Sequence, residues 1–179
     1  SLAPQISVAK VDYPSKTGAI IFFTPPFMEN TEITGPIRLK LWVSSTTDAV
    51  DLFVIIKKFD SNKKEIVEVS TSIKWVPISA CKQDPVDNKP YQPLQIHDQI
   101  FRLTPGEIFP VEVEILPSAM VFEAGTILAV VVGAKDDATT DTSSHKDRAD
   151  QAPASSVPAI NTIWTGSNYD SSVLLPVIP

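Results

Sequence analysis

Residues 31–60 read TEITGPIRLKLWVSSTTDAVDLFVIIKKFD, and residues 103–137 read LTPGEIFPVEVEILPSAMVFEAGTILAVVVGAKDD. In the first stretch Ile37, Leu39, Leu41 and Val43 alternate with Arg38, Lys40 and Trp42. Successive side chains of an extended strand point to opposite faces, so this period of two makes one apolar face and one polar, aromatic face. In the second stretch Val111, Val113 and Ile115 alternate with Glu112 and Glu114, which are expected to face water. Half-buried strands of this kind belong to an antiparallel sheet with one wet side. Leu52 to Ile56 and Ile127 to Val132 are apolar at every position, and they read as central strands covered on both faces.

Turn chemistry separates these runs. Thr34-Gly35-Pro36, Asp60-Ser61-Asn62, Thr104-Pro105-Gly106 and Glu123-Ala124-Gly125 supply glycine, proline and short polar residues where the chain must reverse. Further strands are expected near residues 6–11, 19–23, 65–69, 72–78, 98–103, 161–164 and 172–178. Sixteen prolines and few helix-length amphipathic windows argue against an α-rich fold. About ten strands with no strand–helix alternation predict an all-β, jelly-roll-like β-sandwich of two antiparallel sheets, galactose-binding-domain-like, as one domain over residues 1–179. Residues 79–97 carry three prolines and are expected to form a long loop across one face. Residues 136–159 are small, polar and nearly free of large apolar side chains, so burial cannot offset the entropy of ordering them. They are expected to be a mobile surface loop inserted within the domain, because strand-like sequence follows.

Composition excludes several function classes. The net charge of −6 repels a polyanion, so no nucleic-acid partner is expected. No run approaches the ~20 apolar residues that span a bilayer, and the start lacks an apolar signal core, so no membrane partner is expected. A soluble protein follows, with the cytoplasm favoured. Ser1 and Leu2, without an initiator Met, read as the start of a trimmed chain or fragment. Lys57, Lys58, Lys63 and Lys64 flank Asp60 and Glu65 and read as a solvated hairpin tip rather than an anion site. The single Cys81 excludes an internal disulfide, and no N-x-S/T acceptor occurs.

The chain also lacks chemistry of its own. Nucleophilic catalysis needs an activated Ser or Cys, a base and an orienting group, and no G-x-S-x-G string is present. The two histidines are His97, ending the proline-rich loop, and His145, within the polar insertion. Cys81 with His97 is the one pair with a thiol and an imidazole, and a small buried thiol is the better reading of Cys81. Asp136, Asp137 and Asp141 lack calcium-loop spacing, and zinc would need several Cys and His residues at short spacing. No catalytic residue, metal or cofactor is expected. The aromatic side chains are more informative. Trp42, Trp75, Tyr91, Trp164 and Tyr169 could stack on a sugar or on a partner surface. Trp42 lies on the face opposite its strand's aliphatic core, with Arg38 and Lys40. An interdomain contact is the favoured role for Trp42, Trp75, Tyr91 and Trp164, and a stand-alone carbohydrate-binding module is the alternative.

Several separated segments resemble the C-terminal domain of the X-prolyl dipeptidyl peptidase and cocaine-esterase-like (CocE/NonD) α/β-hydrolase family. They are Asn30 to Pro36 leading into Arg38 to Val43; Asp48 with Asp51-Leu52-Phe53-Val54; Pro105 to Val113; Leu116-Pro117-Ser118 with Phe122 to Gly125; and Tyr169 to Pro179. The resemblance covers nearly the whole chain. It implies a non-catalytic accessory domain of a serine hydrolase, either a dipeptidyl peptidase or an acyl esterase. Such a domain packs on an α/β-hydrolase catalytic domain of the same protein, helps wall its substrate cleft, and can contribute to homo-oligomer contacts. Three places depart from close relatives. After Trp75 the chain has Val76-Pro77-Ile78-Ser79-Ala80-Cys81 where relatives carry Arg and a Ser-His-Arg run. Gly133-Ala134-Lys135 replaces Gly-His-Asp, and Trp164-Thr165-Gly166-Ser167 replaces His-Thr-Gly-Gly. The roles those family residues play at the domain boundary therefore do not transfer to Pro77, Ala80, Cys81, Ala134 and Trp164.

Overall fold

The alternating runs of residues 31–45 and 109–122 meet as the longest antiparallel pair of the protein. The structure, a computed structural model, describes residues 9–14, 18–67, 73–77, 82–83, 89–93, 95–96, 102–133 and 159–179, with the backbone alone at 73–77, 82–83 and 95–96. The expected mobile loop at 136–159 falls outside them, apart from Ala159. So do Cys81, His97, His145, Asp136, Asp137 and Asp141.

Among the described residues every regular element is a strand. In chain order they are β1 (Ala9–Pro14), β2 (Ala19–Phe23), β3 (Thr31–Ser45), β4 (Asp51–Phe59), β5 (Glu65–Ile66), β6 (Ile73–Pro77) and β7 (Lys82–Gln83). There follow β8 (Gln95–Ile96), β9 (Phe109–Phe122), β10 (Ile127–Gly133), β11 (Ile160–Thr165), β12 (Ser172–Leu174) and β13 (Val177–Ile178).

The first sheet is built on β3. β9 runs along one edge of it, from Thr31↔Phe122 to Val43↔Phe109. The other edge is shared end to end by β13, β12 and β11, and β1 lies beyond β11. Pro110 is tolerated because β9 pairs with β3 alone among the described residues, and Pro117 because it lies in the register slip between Ile115 and Ser118. The second sheet has the order β2-β10-β4, with β6 and β5 sharing the far edge of β4. Both sheets are antiparallel, and together they form the expected all-β sandwich.

The core lies between the sheets and follows the sequence alternation. Ile33, Ile37, Leu39, Leu41 and Val43 of β3 join Val111, Val113, Ile115 and Phe122 of β9, facing Leu52, Val54 and Ile56 of β4 and Leu128, Val130 and Val132 of β10. The outer residues Phe53, Ile55, Ala129 and Val131 are also buried, so β4 and β10 are covered on both faces as their unbroken apolar runs required.

β3 and β9 slip register between Gly35 and Ile37. The bulge accommodates Pro36, which has no N–H to give. Gly35 adopts φ +133°, and an added Cβ there would meet Pro176 at 3.3 Å.

Three expectations need correction. Lys58 is not part of a solvated tip: its side chain is 4% exposed and its ammonium lies 2.6 Å from Glu123. It follows Leu52, Val54 and Ile56 on the inner face of β4, so its stem is buried while its head donates to the Val121 carbonyl at 2.7 Å. Lys58 holds the Glu123 carboxyl below the usual range, chiefly through its hydrogen bond. The second correction concerns the loop at 79–97, which contains a two-stranded ladder with Lys82↔Ile96 and Gln83↔Gln95 in register. Third, within the strand expected at 98–103, Arg102 and Leu103 lie outside any strand, and residues 98–101 lie outside the described residues.

Candidate functional site

The even-numbered residues of β3 face away from the core, and this places Arg38, Lys40 and Trp42 in a row on the outer side of the first sheet. Their neighbours follow from the register. Trp42 pairs with Trp164 of β11 and with Pro110 of β9; Lys40 pairs with Ser172 and Glu112; Arg38 pairs with Leu174 and Glu114. Cross-strand neighbours on one face are close enough for side-chain contact, so two indoles meet above a row of cations.

The turn between β11 and β12 completes the cluster. A tight turn with Gly166 at φ +77° and Ser167 at φ +47° brings Tyr169 against both indoles, with ring centroids 5.6 Å from Trp42 and 5.6 Å from Trp164. Asp170 accepts a hydrogen bond from Trp42 Nε1 at 2.8 Å and another from Lys40 Nζ at 2.8 Å. Trp164 Nε1 donates to Ser44 Oγ at 2.9 Å. The Ser171 hydroxyl ties the strands together, accepting from the Trp42 backbone N–H and donating to the Trp164 carbonyl. Lys40 lies 5.8 Å above the Trp42 ring and Lys10 5.9 Å above Trp164. Both indoles are half-buried with their N–H groups satisfied, an arrangement that fixes the rings rigidly.

The lower part of the same face is ionic. Arg38 donates to Glu112 at 2.8 Å and also to the Pro90 carbonyl, while Gln92 donates to Glu114 at 2.8 Å. Glu112 and Glu114 are therefore half-buried and paired, where the alternation alone placed them in water. The Pro90 contact pins the segment carrying Tyr91, whose side chain is 49% exposed.

The structure thus brings Trp42, Trp164 and Tyr91 to one side of the domain. Trp75 is elsewhere: its backbone is in register with Phe53 on β4 of the second sheet, and its side chain lies outside the described residues. Sequence reading missed Asp170 and Ser44. The signal for Asp170 was the row of two cations and an indole N–H on one strand face, which calls for an anion. Only the pairing of β12 with β3 shows which residue supplies it. Among the described residues no group of three or more His, Cys, Asp or Glu side chains could hold a metal ion.

Asp170 is held below the usual carboxylate range, first by the Lys40 hydrogen bond and then by the Trp42 N–H. A carboxylate with a depressed folded-state pKa contributes stability that is present above its unfolded value and lost as pH falls through the folded value. The wild type is therefore expected to melt above Asp170→Asn at neutral pH, and the gap should begin to narrow as the pH falls below about 4. Paired thermal melts from pH 7 to pH 3 check this; a gap independent of pH would remove the carboxylate from the account.

The described residues thus form an antiparallel two-sheet sandwich whose outer face carries a fixed aromatic and ionic cluster. Comparison with known proteins gives the chain a family. The profile of the X-Pro dipeptidyl-peptidase C-terminal non-catalytic domain matches residues 5–174, and the chain belongs to that family. Two crystal structures of a CocE/NonD family hydrolase from Staphylococcus aureus align with it at 28% identity and TM-score 0.79, covering 98% of this chain and 34% of that one. An α-amino acid ester hydrolase aligns at 14% identity and TM-score 0.64, over 89% of this chain and 25% of that chain. An aminopeptidase from a marine sediment archaeon, Thaumarchaeota archaeon, aligns at 13% and 0.62, over 90% of this chain and 26% of that chain. The last two share the fold. The chain spans about a third of the length of the S. aureus hydrolase. None of the curated proteins compared with the chain matches it. No helix among the described residues is long and apolar enough to cross a membrane.

Proposed function

We propose that the chain is one accessory domain of a serine hydrolase of the X-Pro dipeptidyl peptidase or acyl esterase type. In this reading it packs on the catalytic domain of the same polypeptide and helps wall the substrate cleft. The match of 170 of its 179 residues to a non-catalytic C-terminal domain carries the reading. The outer face of the first sheet supports it. Trp42 and Trp164 form a pre-ordered pad whose rigidity lowers the ordering cost of association, and Tyr91, in the segment held by Arg38 further along the same face, has half its surface free. These three residues, with Trp75, are the proposed contacts to the partner domain. A sugar-binding role is less well supported. Tyr169 lies against both indoles and a lysine over each, so the open ring face that a sugar stacks on is taken up within the domain, whereas packing against a partner domain needs no open ring face.

The expected outcome is that the isolated chain hydrolyses neither an activated ester nor an X-Pro amide, yet associates with its catalytic domain supplied separately. Association is measured by co-elution in size-exclusion chromatography. Turnover by the isolated chain would contradict the reading.

A further inference from the structure

At one end of the first sheet the core side turns polar. Val43 of β3 and Ile163 of β11 are an in-register pair that faces the core. Two residues further on, Ser45 lies opposite Asn161, and Asn161 lies opposite Tyr13 of β1. Tyr13, Asn161 and Ser45 are 2%, 1% and 4% exposed. Ser45 is served locally, since its Oγ lies 3.1 Å from Thr47 Oγ1 and accepts from the Thr47 N–H at 3.2 Å. The other two residues are not. Tyr13 Oη, Asn161 Oδ1 and Asn161 Nδ2 are buried without a hydrogen-bond partner among the described residues.

Buried polar atoms of this kind are rare, because each one left unpaired costs the full loss of its hydration. Here three of them belong to one cross-strand pair, and the pair matters to the fold. Tyr13 is the one buried residue of β1, so that strand holds to the core through it.

The two side chains do not satisfy each other. Burial pushes the Tyr13 hydroxyl above its ordinary value; the nearby Asn161 amide offsets part of this, and the negative charge of Asp51 adds to it. Yet Tyr13 Oη and the Asn161 amide do not meet in hydrogen-bond geometry. A direct bond between them would in any case serve only one of the two amide atoms.

The chemistry of the three atoms selects what fits them. Asn161 offers a donor and an acceptor, and a tyrosine hydroxyl is both. An anion would be opposed by Asp51 and would leave Asn161 Oδ1 unpaired. A cation would leave Asn161 Nδ2 unpaired. A small neutral species that both gives and takes hydrogen bonds serves all three, and a buried water typically makes about three such bonds to otherwise unsatisfied groups.

We propose that Tyr13 and Asn161 form an internal hydration site, which holds at least one long-lived water molecule and through it links β1 to β11 on the core side of the sheet. The proposal is independent of the accessory-domain reading.

A high-resolution crystal structure of the 179-residue chain, with NMR cross-relaxation between water and side-chain amides, tests it. The expected density is a water within about 2.7–3.2 Å of Tyr13 Oη and of an Asn161 amide atom. The Asn161 side-chain amide protons should show the cross-relaxation sign of a long-lived bound water, whereas exposed Asn62 should show that of fast-exchanging solvent. Tyr13→Phe keeps the ring and removes a hydroxyl proton that could relay the signal from solvent, and the Asn161 signal should survive it. Loss of the signal in that variant would overturn the proposal. So would a protein group from residues 15–17 or 134–158 bonded to these atoms in place of water. Density that grows heavier when caesium replaces potassium in the crystal would make the occupant a cation and overturn it equally.

Discussion

Phe122→Ala is expected to lower the stability of the domain by about 3–5 kcal/mol, the usual cost of emptying a fully buried aromatic site. Phe122 ends β9 with no exposed surface. Its ring lies 5.0 Å from that of Phe27, and the Lys58 ammonium sits 5.8 Å from its centroid. Three separate elements therefore depend on one side chain: the segment after β2, the end of β4 and the end of β9. Neighbours on paired strands cannot close in without breaking register, so the cavity persists. For a domain of this size each kcal/mol moves the melting temperature by roughly 2–4 °C, which puts the expected drop on the order of 10 °C. Phe122→Leu, which keeps most of the volume, should lose less than half as much. Equal losses for the two variants in thermal or urea unfolding would show that the site relaxes freely.

Gly35→Val should have the second large effect, and through the backbone rather than through lost contacts. At φ +133° the position lies in a region that side chains rarely enter, and forcing one there costs about 1–3 kcal/mol. The new Cβ would also press on Pro176. Relief requires the peptide to rotate, and the adjacent hydrogen bond from Thr34 N–H to the Pro176 carbonyl, 3.0 Å, anchors the C-terminal strands to β3. The variant should both melt earlier and lose protection in residues 174–178. Gly125→Ala is the control: its φ is +87° and nothing lies within 4 Å of an added Cβ, so its cost should be about 1 kcal/mol. If the two substitutions proved equally mild, the bulge would not be fixing the C-terminal strands.

The contrast between these sites shows what the sequence could reveal. The central strands were legible because their signal is local: period two in Ile37 to Val43 and Val111 to Ile115, and unbroken apolar runs in β4 and β10, follow directly from which faces are covered. The family was legible because five separated segments occur in order. Lys58 misled because a lysine in a basic cluster looks solvated; its burial depends on β9 bringing Val121 and Glu123 to the end of β4, a pairing between residues more than sixty apart. The aromatic pad was half visible. Trp42 announced itself by sharing a strand face with two cations. Its anion, Asp170, and the platform ring, Tyr169, come from a turn near the other end of the chain, and only the register of β11 and β12 against β3 sets them there.

The most direct test of the central claim is the size of the native polypeptide that carries this domain, read by immunoblot of its source with an antibody against the 179-residue chain. The account predicts a band roughly three times 19.5 kDa, as the 34% coverage of the S. aureus hydrolase implies, and hydrolase activity that is captured with it. A band near 19.5 kDa in the absence of any larger species would contradict it, and the sandwich would then have to work alone.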